Sequence, residues 1–249
     1  MKTHSLAIAI LALALSPIAG HAADLKVTTG GSLTGTFAEL VPQFERVSGH
    51  KLEVFYGAVP QLIKRTAEGE AFDVAIVPTQ VFKDAGAAAK FAPGPAVRIV
   101  SVGYGVAVKA GAPKPDVSTP AAFKETLLKA QSISVFPESA AGAYVTKVFD
   151  RLGIGEAAKA KSKAATTAPQ LVQAVAKGEA EIGVFLINVF AAPGVDIAGP
   201  FPGELQDELV YEGALAANTK QAEAAKAFID FLRKPEAAAM MKAKGMTPG

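Results

Sequence analysis

Leu25 to Thr29 (Leu-Lys-Val-Thr-Thr) alternates in polarity and is rich in β-branched residues, a pattern that predicts a strand. After the loop Gly30-Gly31-Ser32-Leu33-Thr34-Gly35, the residues Phe37, Leu40, Val41, Phe44 and Val47 recur at helical spacing. Thr36 and Glu39 are spaced as a capping box at the start of that helix, and Gly49 supplies its stop. Leu52–Tyr56 reads as a second strand. The Gly57-Ala58 turn then leads into a helix carrying Leu62, Ile63 and Ala67, which Gly69 ends. Asp73–Val77 is an apolar run, as in a strand buried on both faces, and a helix is expected over Thr79–Ala89. Strand and helix alternating in this way predict a parallel sheet with right-handed crossovers.

Pro93 and Pro95 interrupt the pattern, and Val97–Val108 is strand-like but broken by Gly103 and Gly105. A second unit opens at Thr119-Pro120 with a capped helix to about Lys129, followed by a strand over Ser132–Phe136. The small-residue loop Glu138-Ser139-Ala140-Ala141-Gly142 leads to a helix striped by Tyr144, Val145, Val148, Phe149 and Leu152. Leu171, Val172 and Val175 mark a further helix, Ile182–Leu186 a strand, and a strand from about Val210 precedes a helix with Ala227, Phe228, Phe231 and Leu232. Pro235 opens a last short helix that ends at Gly245. Strand, small-residue loop and helix thus occur at 25–47 and again at 132–153. This predicts two α/β lobes, each aiming a helix start at a common cleft, with 23–95 and 205–249 in one and 96–204 in the other.

The first residues lie outside this pattern. Met1-Lys2-Thr3-His4 is a short positive start, and Ser5–Ile18 is an apolar run broken only by Ser16 and Pro17. Gly20 and Ala22 place small residues before a cut after Ala22, as in a secretory leader. The run is short for a membrane span, and no other stretch approaches the ~20 residues that one needs. Residues 1–22 are therefore expected to be a signal peptide and the remainder an exported, periplasmic chain. Loss of the leader removes His4 and His21 and leaves His50 alone, in a predicted turn. A multi-histidine metal site cannot be built from one histidine, and only His50 could serve a Ser-His-Asp triad.

Composition narrows the chemistry further. The chain has 249 residues and no cysteine, which excludes disulfides, thiolate metal sites and cysteine nucleophiles. A net charge of +2 without a basic block, aromatics at 7% and no tryptophan argue against nucleic acid as a partner. Neither a cofactor nor a metal is called for. What remains is the loops. Gly30-Gly31-Ser32 sits where a strand feeds a helix, whose first N–H groups are unpaired and carry partial positive charge. Glycines let an anion approach that backbone, and the Ser32 hydroxyl adds a donor. The loop is neither a P-loop, since Thr36 stands where lysine is required, nor a dinucleotide fingerprint. Ser139-Ala140-Ala141-Gly142 repeats the logic in the second unit, and Gly57-Ala58 and Asn188 are further rim positions at strand ends, where α/β ligands bind.

On these features the chain resembles a known group. The strand–Gly-Gly-Ser–helix opening, Phe72-Asp-Val-Ala-Ile-Val-Pro78, Gly105–Pro113, Lys177-Gly-Glu-Ala-Glu-Ile-Gly183 and the tail from Ala227 to Pro235 and Gly245 to Pro248 are similar to periplasmic solute-binding proteins. Within that group the chain resembles the molybdate-binding proteins of ABC transporters. The resemblance implies a two-lobed type-2 periplasmic-binding fold of parallel sheets flanked by helices, closing on a small anion. It implies a monomer that hands its ligand to a membrane permease. It also implies ligand contacts at Gly31, Ser32, Gly57, Ala58, Ser139, Ala140, Tyr144 and Asn188. Two departures leave the ligand open between an oxyanion and a carboxylate: Tyr56-Gly57-Ala58 lacks the second-loop serine, and Leu186, Ile187 and Asn188 stand where a tyrosine donor is usual. The same scaffold is shared by a periplasmic aconitate isomerase, the enzymatic alternative, which would need an acid–base group beside the anion. Lys64, Arg65, Glu138 and Tyr144 are the rim residues able to supply one, although the first two read as a solvated helix face and Glu138 as an exposed loop residue.

One expectation can be checked on the exported chain. Protein recovered from the periplasm of a host expressing the full sequence should have the intact mass of a chain beginning at Ala23, and a retained leader would contradict this.

Overall fold

The computed structural model describes residues 22–249; apart from Ala22, the predicted leader falls outside them. Among the described residues no helix is long and apolar enough to cross a membrane. Strand β1 (Asp24–Gly30) lies in parallel between β2 (Lys51–Gly57) and β3 (Val74–Pro78), with α1 (Thr34–Ser48) and α2 (Val59–Ala67) as crossovers. The opening half is thus the predicted parallel unit. The helix expected over Thr79–Ala89 is in fact two, α3 (Thr79–Lys83) and α4 (Ala85–Ala88). They are divided at Asp84, which adopts extended backbone and accepts a hydrogen bond from the Ala87 N–H at 2.9 Å. A capping aspartate interrupts a helix as effectively as it begins one.

Strand β4 (Val97–Lys109) is continuous through both glycines expected to break it. It then changes partners. Its first half pairs antiparallel with β9 (Glu208–Leu215), and from Tyr104 onward it pairs with β7 (Ile182–Leu186) and β8 (Val195–Pro200). In the second half, β7 and β6 (Ser162–Ala164) flank β5 (Ile133–Val135) in parallel, with α5 (Pro120–Lys129), α6 (Ala140–Arg151), α7 (Gly155–Lys161) and α8 (Ala168–Ala176) packed around them. The sheet order is β2-β1-β3-β9-β4-β7-β5-β6, so β4 and β9 join the two parallel units antiparallel. The changeover falls at Gly103–Tyr104, further along the chain than the boundary expected after Pro95. Helices α9 (Ala222–Leu232) and α10 (Pro235–Ala243), and the short strand β10 (Met246–Pro248) on β4, return the chain to the first half.

The return crossing is held by a side chain. Gln206 accepts from the Tyr104 N–H at 2.8 Å and donates to the Tyr104 carbonyl at 2.9 Å. Its amide therefore continues the bonding of β4 where the pairing with β9 ends, beside the Phe201 N–H that also donates to the Tyr104 carbonyl. His50, expected to be a solvated turn residue, is half-buried, and its Nδ1 accepts from the Ala23 N–H at 3.0 Å. The capping box does not form. The first helical turn is a 3-10 turn over Gly31–Leu33, α1 follows directly, and Thr36 lies inside it with its hydroxyl buried.

The apolar stripe of α1 meets α9 across the first half. Phe37 and Phe44 both place their rings against Phe228, with centroids 5.9 and 5.0 Å apart at steep angles. Such edge-to-face pairs add to the area term of burial. Replacing Phe228 by Ala leaves a cavity beside the Phe37 and Phe44 rings and should destabilise the chain by about 3–5 kcal/mol. The urea midpoint should fall accordingly, with an unchanged m-value.

Candidate functional site

A small cavity lies between the two halves, at the C-terminal ends of β1, β2, β3 and β7 and beside the N-terminal half of the antiparallel β9. It encloses about 40 Å³. Gly31 and Ser32 line it from the turn before α1, Val59 from the first residue of α2, Ala140 and Ala141 from the first turn of α6, and Ala168 from the first residue of α8. The rest of its surface includes Phe136, Phe185, Leu186, Leu209 and Tyr211. No Lys, Arg, His, Asp or Glu is among its lining residues.

The sequence makes each of these helix starts in a different way. Ser139 caps α6: its Oγ accepts from the Gly142 N–H at 2.9 Å and donates to the Phe136 carbonyl at 2.9 Å. Both functions of that hydroxyl are thus satisfied within the loop, and the donors that remain are the N–H groups of Ala140 and Ala141, which have no partner inside the helix. The loop admits only glycine at 142, because a Cβ there would fall 1.7 Å from the Phe136 carbonyl oxygen. Thr167 caps α8 by accepting from the Gln170 N–H, and Pro60 and Pro169 stand early in α2 and α8, where a missing N–H is harmless.

Two side chains contribute hydroxyl groups. Ser32 Oγ and Tyr211 Oη lie 2.5 Å apart. One of the two protons makes this bond, which leaves the other O–H free to donate into the cavity. The Tyr211 ring also packs so closely on Gly30 that a Cβ there would meet its hydroxyl at 2.6 Å. Burial pushes the Tyr211 phenol up to about 12, and the bond to Ser32 acts in the opposite direction.

The predicted rim residues divide. Gly31, Ser32, Gly57, Ala58, Ser139 and Ala140 all line the cavity. Tyr144 does not: it lies on α6 beyond the loop, its hydroxyl donates to the Leu205 carbonyl at 3.0 Å, and its ring packs on Tyr104 at 4.7 Å. The apolar stripe that turns α6 onto its sheet points this side chain at the crossing segment. Asn188 also misses the cavity. It lines an adjoining space, and its Nδ2 donates across the two halves to the Ser32 carbonyl at 2.9 Å. Lys64 and Glu138 do not reach the cavity either, and Arg65 is turned outward, over the Phe55 ring. Tyr211 was the residue missed. Its strand was expected, but nothing local distinguishes a tyrosine that faces a ligand from one that fills a core.

Comparison with known proteins finds relatives over nearly the whole chain. The family model described as "Bacterial extracellular solute-binding protein" matches residues 25–247. An aconitate isomerase of Pseudomonas sp. is 33% identical over 98% of this chain and 96% of its own length. The molybdate-binding protein ModA of Azotobacter vinelandii is 26% identical over 94% of each chain. The solved structure of the Azotobacter vinelandii periplasmic molybdate-binding protein superposes with a TM-score of 0.74 at 21% identity, covering 90% of this chain and 98% of that one.

The raised Tyr211 phenol makes a pH prediction. A folded-state value of about 12 against an unfolded value near 10 means that the folded chain holds this proton more tightly. The resulting stability is fully present below pH ~10 and is lost as pH rises towards ~12. Alkaline unfolding monitored by circular dichroism should therefore occur less steeply in Tyr211→Phe than in the parent, and an unchanged slope would contradict the assignment.

Proposed function

The chain belongs to the bacterial extracellular solute-binding proteins, and we propose that it is a periplasmic binding protein that closes its two halves on a small anion and delivers it, as a monomer, to an ABC-type membrane permease. The observation that carries this reading is the convergence of four helix starts on one cavity whose lining holds no charged side chain. Each helix N-terminus acts as about half a positive charge, so four together offset about two negative charges. A head group of one or two negative charges suits that field, and no carboxylate lines the cavity to bind a cation. Neutral donors also suit release, because the anion leaves no buried unpaired charge behind.

An isomerase on the same scaffold is the second reading. The 33% identity to an aconitate isomerase favours it. Against it stands the cavity itself: a proton shift needs a group that titrates near neutrality, and among the described residues the only titratable side chain lining the cavity is Tyr211, which is pushed to about 12.

Thermal shift against molybdate, sulfate, phosphate and small carboxylates tests the binding reading. A ligand at ~100 times its Kd should add ~2.7 kcal/mol of stability. Ser32→Ala should weaken the best anion ~10- to 100-fold in titration calorimetry, which corresponds to one charge-assisted hydrogen bond. Ser139→Ala should instead cost ~1 kcal/mol of stability through the lost cap, with a smaller change in affinity. Incubation with cis- and trans-aconitate should leave both unchanged, and interconversion would establish the enzyme instead.

A further inference from the structure

The anion cavity has a neighbour. A chamber of about 310 Å³ adjoins it, with Gly31, Ser32 and Ala168 as residues common to both. Thr34 and Gly35 wall it from the first half, and Val172, Gln173, Asn188, Val189 and Ala191–Pro193 from the second. Its surface is largely apolar and, like that of the cavity, carries no charged side chain. At its edge stands Asn188, 6% exposed. Nδ2 of Asn188 is committed to the Ser32 carbonyl, and its Oδ1 is buried without a hydrogen-bond partner among the described residues. A buried acceptor left unpaired is costly, and so it points to a donor that is supplied from elsewhere.

We propose that this chamber is a subsite for an uncharged organic arm on the bound anion. It rests on the anion-binding reading above, with the charged head at the four helix starts. The arm passes Ser32 into the chamber, and a hydroxyl or amine N–H on it pairs with Asn188 Oδ1 as the two halves adjust around the ligand. The chemistry selects the arm. Its body must be apolar enough for Val172 and Val189. It carries no second carboxylate, since nothing in either space would compensate a further buried charge. A bare inorganic oxyanion would leave the chamber unused, and an organic polyacid would bring charge into it. The ligand class assigned is therefore a phosphate monoester or monocarboxylate with a short hydroxylated chain.

Matched pairs test this by titration calorimetry: inorganic phosphate against glycerol 3-phosphate, and acetate against 4-hydroxybutyrate. At least one armed member should bind ~10-fold or more tightly than its bare partner. Val172→Phe, which fills the chamber from a half-buried position, should abolish that advantage while leaving the bare anion within about threefold. Ala192→Leu, from the opposite wall, serves if the first variant does not fold. Equal binding within both pairs, or tighter binding of the bare anions, overturns the subsite and leaves the anion clamp standing. An advantage that survives both filled chambers places the arm elsewhere and overturns it as well. Failure of all four anions, and of molybdate and sulfate, to bind would sink the anion reading itself and the subsite with it.

Discussion

Unpaired backbone N–H groups are the constraint on which this structure depends. Every helix leaves its first donors without internal partners, and a fold normally disposes of them in solvent or against caps. Here four helix starts face one another across a cavity of about 40 Å³. Mutual repulsion of those dipole ends, and the cost of drying unpaired donors, would oppose such an arrangement unless an anion or water occupied it. The residue types around the cavity follow. Glycine and alanine at 30, 31, 57, 58, 140, 141 and 168 keep side chains out of the path between backbone and ligand. Ser32 and Tyr211 supply the hydroxyl donors where backbone alone cannot reach.

The sheet joins the two halves in only a few places. β4 passes from one set of partners to the other at Gly103–Tyr104, and β9 runs beside its first half alone. At the changeover the Tyr104 N–H and carbonyl both bond the Gln206 side chain, and the carbonyl also accepts from the Phe201 N–H. A side-chain amide follows a small backbone rotation more readily than a strand ladder does, so the Gln206 contact is the softest of the bonds at this point. Aromatic rings at Tyr104, Tyr144 and Phe201 pack around the same point, which explains why Tyr144 serves the crossing and not the ligand. Tyr211 couples the two regions: it lies on β9, close to the crossing, and touches Ser32 in the cavity.

The alternation of strands and helices was legible because both units obey simple periodicity, and the loops that line the cavity were legible because ligands of α/β folds gather at the C-terminal ends of parallel strands. What escaped was non-local. Tyr211 lies about 180 residues from its partner Ser32, as the separation of 179 records, and no local pattern pairs them. The split at Asp84 turned on a single capping side chain competing with helix propensity. The capping box at Thr36 failed because a 3-10 turn at Gly31–Leu33 starts the helical path earlier and leaves Thr36 inside it. The Ser139 hydroxyl was assigned to the ligand from its position, whereas the neighbouring Phe136 carbonyl claims its proton.

The same geometry bears on how one scaffold could divide between carrying an anion and transforming it. Binding asks for donors that hold charge equally before and after transfer to a permease, and neutral backbone groups do this without titrating. Catalysis of a proton shift asks in addition for one group whose proton is exchangeable near neutrality, within about 3 Å of the reacting carbon. Among the residues that line the cavity, Ser32 and Tyr211 come nearest, and their mutual bond could carry a proton between them. Burial works against that use, because it holds the Tyr211 phenol at about 12 and so keeps the pair protonated. To become a base, Tyr211 would need a cation beside it, and no cationic side chain lines the cavity. A change from carrier to catalyst on this framework would therefore require a single charged residue at the rim, with the anion clamp itself left in place.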